Sequence, residues 1–169
     1  MHRNDLHHLE QEKILGVMNF RRFRLSERII LVTCQCHGEL PDVRLKTSRS
    51  FKDIREGETY RVTLPGGGAF LGRGRIGKPA LDQTIELAKR LEISRFGLCA
   101  HAPCIFAEAS SILDILWRLR QAHQRILRIH PHFEISPCFA AHRPLQGFFT
   151  HWVDLKALED YRAKTLAAA

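Results

Sequence analysis

Two short stretches of the chain hold most of the side chains able to do chemistry. "LVTCQCHGEL" (31–40) places Cys34, Cys36 and His37 where an apolar run ends, and "LCAHAPC" (98–104) places His101 and Cys104 after another. Thiolate and imidazole are donors that zinc prefers in tetrahedral geometry, so Cys34, His101 and Cys104 are three candidate metal ligands. The His101-x-x-Cys104 spacing lets both residues point inward from one turn. In an extended segment residues two apart share a face, so Cys36 could reach the same ion as Cys34. A site closed by four protein ligands is structural, whereas three ligands and a water leave it open for catalysis. The spacings leave both open. His37 has an ordinary pKa of about 6.5 and is a candidate proton shuttle; an exposed loop histidine is the plainer alternative. Cys99 and Cys138 lie inside apolar runs and read as core cysteines, a residue type often fully buried.

The elements around these clusters follow from hydrophobic periodicity. "RIILVTC" (28–34) is a continuous apolar and β-branched run, as in a buried parallel strand. "ETYRVTL" (58–64), "SRFGLCA" (94–100) and "HFEISPCFA" (132–140) are three further strands. Helical spacing marks residues 6–20, 80–93, 106–129 and the tail from Asp154. Strands alternating with helices predict a mainly parallel α/β sheet, in which ligands bind outside the carboxyl ends of the strands. Both clusters sit at such ends, and they face each other if the first and third strands are neighbours. The glycine-rich "PGGGAFLGRGRIGKP" (65–79) is predicted as a loop. There Gly66, Gly67 and Gly68 could line the crevice with backbone N–H groups for a small anion. Glycine equally serves a tight turn there, and the two roles are compatible.

Composition sets the wider frame. A length of 169 residues, 44% of them hydrophobic, fits one globular domain, with residues 1–26 as an N-terminal helical arm and 27–169 as the α/β domain. No apolar stretch reaches the roughly 18 residues of a membrane span. The charged, histidine-rich start lacks the apolar region of a secretory signal. A cytoplasmic setting is therefore expected, and there the 5 cysteines stay reduced. The odd count argues against a disulfide framework. A net charge of +8 attracts anions. The basic residues are spread along the chain with no nucleic-acid motif, so nucleic acid is not the expected partner. Arg118, Arg120, Arg125 and Arg128 are predicted on the solvated face of a helix.

Taken together, Cys34-Gln35-Cys36-His37-Gly38 and His101-Ala102-Pro103-Cys104 resemble the two motifs of the β-class carbonic anhydrases, C-x-D-x-R and H-x-x-C. "GETYRVTLPGGG" (57–68) resembles that family's second strand and glycine turn. "IGKPALDQTIELAKRLEISRFGLCAHAPC" resembles the helix and strand leading to the ligand pair. The resemblance runs over about residues 28–110 in matching order. It implies Zn2+ on Cys34, His101 and Cys104, a four-stranded parallel core flanked by helices, and assembly as homodimers or higher, with the N-terminal helix packing on a partner subunit. It also implies a lyase that hydrates CO2 through zinc-bound hydroxide, with CO2 and bicarbonate as small-molecule ligands.

The departures bear on activity. Cys36 stands for the motif aspartate, Gly38 for the motif arginine, and Thr63 for an arginine that usually follows the second strand. The aspartate–arginine pair manages the open metal position in the family. Its loss predicts weak ordinary activity on CO2 or a related small electrophile, with Cys36 beside the metal. The alternative is a non-catalytic zinc protein whose closed Cys3His site serves structure, redox sensing or partner binding. Glu39 and Asp42 are nearby acids that could replace the lost aspartate.

Overall fold

The computed structural model describes residues 3–17, 28–36, 59–104, 106, 111–143 and 147–167. Helix α1 (Arg3–Gln11) leads to strand β1 (Leu15–Val17), and then come β2 (Ile29–Cys34) and β3 (Thr59–Leu64). Helices α2 (Gly68–Leu71) and α3 (Gly74–Arg90) precede β4 (Arg95–Ala102). Helix α4 (Ile112–Ile129), strands β5 (Glu134–Arg143) and β6 (Gly147–Val153), and helix α5 (Leu155–Ala167) complete the chain.

The strands form one sheet in the order β1-β6-β5-β4-β2-β3. The β3-β2-β4-β5 block is parallel throughout, and β6 and β1 extend it with antiparallel pairs. The four parallel strands are those expected from the sequence; the two antiparallel ones are additional. The chain leaves β2 for β3 on one side and returns as β4 on the other. That reversal makes the carboxyl ends of β2 and β4 a topological switch point, where open α/β sheets bind ligands.

Alternation along the strands divides the apolar side chains between two faces. Ile30, Val32, Phe96, Leu98 and Phe139 join the helices in one core cluster. Ile29, Leu31 and Cys138 form a smaller cluster on the other face, with Cys99 and Trp152 packed against it. All six residues of β2 are buried, which explains its unbroken apolar sequence. Helix α4 buries Ile112, Ile115, Leu116, Leu119, Ala122 and Ile126 on one side. Each large side chain buried in this way contributes about 1.5–3 kcal/mol. Its start is fixed by Ser111, whose Oγ accepts the Asp114 N–H at 3.1 Å and donates to the Asp114 carboxylate at 3.0 Å, satisfying a first-turn donor.

Three expectations need correction. The helix predicted over 6–20 ends at Gln11. Lys13 takes a left-handed φ of 59°, and Leu15–Val17 pairs with His151–Val153 instead. Leu6, Leu9, Ile14 and Leu15 fit a helical stripe in sequence, but Ile14 and Leu15 are buried around the start of a strand. The predicted 65–79 loop is largely helical, because α2 and the first turns of α3 lie in it. The arginines of α4 are not uniformly solvated. Arg120 pairs with Glu159 and lies over the Trp117 ring at 4.3 Å, while Arg125 donates to the Leu71 and Gly74 carbonyls. Arg128 is exposed as expected. Among the described residues no helix is long and apolar enough to cross a membrane.

Candidate metal centre

The two cysteine–histidine clusters meet. Strands β2 and β4 are parallel neighbours, with Val32 opposite Leu98, so their carboxyl ends lie side by side. Cys34 closes β2, and Cys36 follows two residues on. His101 is the penultimate residue of β4. Beyond it the Ala102–Pro103 peptide bond is cis, and Cys104 comes next. Cys34, Cys36 and His101 are buried and Cys104 is half-buried.

The Sγ atoms of Cys34 and Cys36 are 3.3 Å apart. Those of Cys34 and Cys104 are 3.5 Å apart, and those of Cys36 and Cys104 3.6 Å. With one ring nitrogen of His101, the ligand atoms all lie within 4.8 Å of one another. A tetrahedral zinc with Zn–S bonds of about 2.3 Å spaces its sulfurs about 3.8 Å apart. The three thiols thus stand a few tenths of an ångström inside the spacing such an ion would impose. The donor set and its geometry fit a borderline-soft divalent ion, and Cys34, Cys36, His101 and Cys104 could hold one.

The thiols are electrostatically linked. The hydrogen bond between Cys104 and Cys34 holds the Cys34 thiol well below the ordinary thiol range, against the opposing effect of burial and with further help from His101 and Cys36. Cys104 is pushed the other way, first by that same hydrogen bond, then by burial and by the charge on Cys34. Metal binding displaces thiol protons, and the lowered Cys34 thiol favours it.

The glycine turn lies directly beneath. Gly67 has a φ of +63°, and a Cβ there would come within 2.3 Å of the Cys99 carbonyl and 3.1 Å of the Cys34 nitrogen. Only glycine permits that approach. The Leu64 carbonyl accepts from Gln35 N–H at 3.1 Å and from Gly67 N–H at 2.9 Å, tying the Cys34–Cys36 segment to the turn. The Gly67 amide is thereby engaged within the chain, while Gly66 and Gly68 lie buried beside it. The contribution of Leu64 carried no sequence signal, since it acts through a backbone carbonyl. His37, Gly38, Glu39 and Asp42 lie outside the described residues. Thr63 is exposed on β3. Cys99 and Cys138 face each other in register across β4 and β5, in the cluster that excludes the metal-centre residues. A hydrogen bond with Cys99, and then burial, raise the Cys138 thiol well above its ordinary value.

The sequence matches no family model and no curated protein. Among solved structures, the fold is similar to that of a carbonic anhydrase from Streptococcus mutans. The TM-score is 0.50 at 15% identity, over 76% of this chain and 82% of that one. At that identity the likeness speaks for the fold alone.

Proposed function

We propose that this chain is a divergent zinc-binding relative of the β-class carbonic anhydrases, with Cys34, His101, Cys104 and Cys36 as the ligands of a closed Cys3His centre. The observation that carries it is the set of sulfur separations, 3.3, 3.5 and 3.6 Å, with Cys36 as close to its neighbours as Cys104 is. A bound zinc with an open position would supply Lewis acidity and a more acidic water. With Cys36 in that position, the zinc serves the fold, a redox response or the binding of a partner.

A catalytic alternative draws on the fold. The switch point between β2 and β4 is where this architecture accepts ligands, and Gly66 and Gly68 are the turn residues that would offer backbone N–H groups there. If Cys36 stands aside, CO2, bicarbonate or another small anion could enter, with His37 moving protons. Ordinary CO2 hydration is expected to be weak, because Cys36 and Gly38 replace the aspartate and arginine. A homodimeric assembly and a cytoplasmic location belong to the same proposal; none of the five cysteines forms a disulfide, in keeping with a reducing compartment.

The test is zinc content followed by CO2 hydration, with wild type beside Cys36→Asp/Gly38→Arg. Stoichiometric zinc, an inactive wild type and activity appearing in the double variant support the closed centre. Clear wild-type activity lost in Cys104→Ala would assign the chain to the catalytic alternative instead.

A further inference from the structure

The cysteines of the metal centre are unequally open to solvent. Cys34 and Cys36 are 5% and 6% exposed. Cys104 is half-buried and follows the exposed Pro103. It lies 3.5 Å from the Cys34 sulfur and 3.6 Å from that of Cys36. Susceptibility of cysteine to oxidation follows thiolate character and access, and redox-sensing cysteines often stand next to a resolving cysteine. With zinc bound every ligand sulfur is a thiolate, so access decides, and Cys104 has the access and two such neighbours. We propose that Cys104 is a redox modification site. Hydrogen peroxide oxidises it first, Cys34 or Cys36 closes a disulfide onto it, and the centre loses its metal. This deepens the metal-binding reading and rests on it.

The chemistry balances with peroxide as the only co-reactant. In the first step the Cys104 sulfur attacks one peroxide oxygen. An S–O bond forms, the O–O bond breaks, and a proton goes to the departing hydroxide, leaving a sulfenic acid and one water. In the second step the sulfur of Cys34 or Cys36 attacks the Cys104 sulfur. An S–S bond forms, the S–O bond breaks, and the departing hydroxide takes a proton from solvent as a second water. Two zinc-bound thiolates, one peroxide and two solvent protons give one disulfide and two waters, and the zinc ion is released. The sulfurs must close by about 1.5 Å to reach a disulfide bond length of about 2.05 Å. The disulfide withdraws two of the four donors, and one thiolate and one imidazole make a poor zinc site. Cys99 and Cys138 belong to a separate cluster and take no part.

The experiment treats the zinc-loaded full chain with one equivalent of hydrogen peroxide. A chromogenic chelator reports released zinc, a sulfenic-acid trap is included in a parallel sample, and both samples are mapped by peptide mass spectrometry. The expected result is one zinc released per disulfide formed, the trap on Cys104, and a disulfide joining Cys104 to Cys34 or Cys36. Cys99 and Cys138 should remain thiols, and dithiothreitol with added zinc should restore the centre. Retention of zinc under excess peroxide would overturn the proposal. So would a disulfide between Cys34 and Cys36 with Cys104 still reduced. Zinc content before peroxide judges the metal-binding reading separately. The order of oxidation can also be mapped in the metal-free chain, where trapping at Cys99 or Cys138 ahead of Cys104 would contradict the assignment.

Discussion

The sulfurs of Cys34 and Cys36 lie 3.3 Å apart, although one ends strand β2 and the other has left it. Residues two apart in an extended segment share a face, and both side chains are buried against His101 and Cys104. Cys36 thus stands where a fourth ligand could reach the same ion. Cys36→Ala should therefore weaken zinc binding by on the order of 100-fold or more, since structural zinc sites gain about 10–16 kcal/mol from their four ligands together. Competition with a chelator of known affinity measures this. An unchanged affinity would place Cys36 outside the coordination sphere.

Gly67 is a second point of leverage on the same centre. Gly67→Ala would force a Cβ to within 2.3 Å of the Cys99 carbonyl at a φ of +63°. The expected loss of stability is about 2–4 kcal/mol, combining left-handed backbone strain with overpacking. Because the same Cβ would meet the Cys34 nitrogen at 3.1 Å, zinc affinity should fall with it. Urea unfolding of the metal-free and zinc-loaded variant separates the two effects.

Helix α5 is held to α4 by aromatic and charged contacts. The Trp117 ring lies under the Arg120 guanidinium at 4.3 Å and the Arg162 guanidinium at 3.8 Å. Trp117→Ala should cost about 2–3 kcal/mol, from lost packing and two cation–π contacts. Glu159→Ala should cost about 1 kcal/mol or less, because Glu159 is 43% exposed and its pair with Arg120 is screened. Denaturant midpoints of the two variants should differ in that order.

His123 on α4 gives a pH dependence remote from the metal centre. Burial, and secondarily the Arg120 charge, lower its pKa below the ordinary 6.5, with Glu159 opposing. The unfolded chain therefore binds this proton more readily than the folded one. The stability that His123 contributes is present in full above about pH 6.5 and is lost as the pH falls from there through the lowered folded-state value. His123→Gln should flatten the stability profile between pH 5 and 7 in thermal unfolding; an unaltered slope there would assign the dependence to other groups.

Much of this fold was legible because its signals were local. The β-branched run at 28–34 could only be satisfied by burial on both faces, and β2 is buried throughout. Helix α4 declared itself through Ile112, Ile115, Leu116, Leu119 and Ile126, all buried. The juxtaposition of Cys34 with His101 and Cys104 followed once β2 and β4 were taken as neighbours, which they are. What escaped the sequence depended on distant partners. Leu15–Val17 is a strand only because β6 offers it an edge. Strand β6 joins an otherwise parallel block as an antiparallel neighbour of β5. Arg120 looked solvated until Glu159 arrived from a helix 39 residues away in sequence. The engagement of the Gly67 amide by Leu64 left no trace in residue types.

The most direct test of the closed centre is X-ray absorption at the zinc edge of the zinc-loaded wild type. Three sulfur neighbours at about 2.3 Å and one nitrogen at about 2.0–2.1 Å are expected. Two sulfurs, one nitrogen and one light oxygen neighbour would mean that Cys36 does not ligate, and would contradict the Cys3His centre.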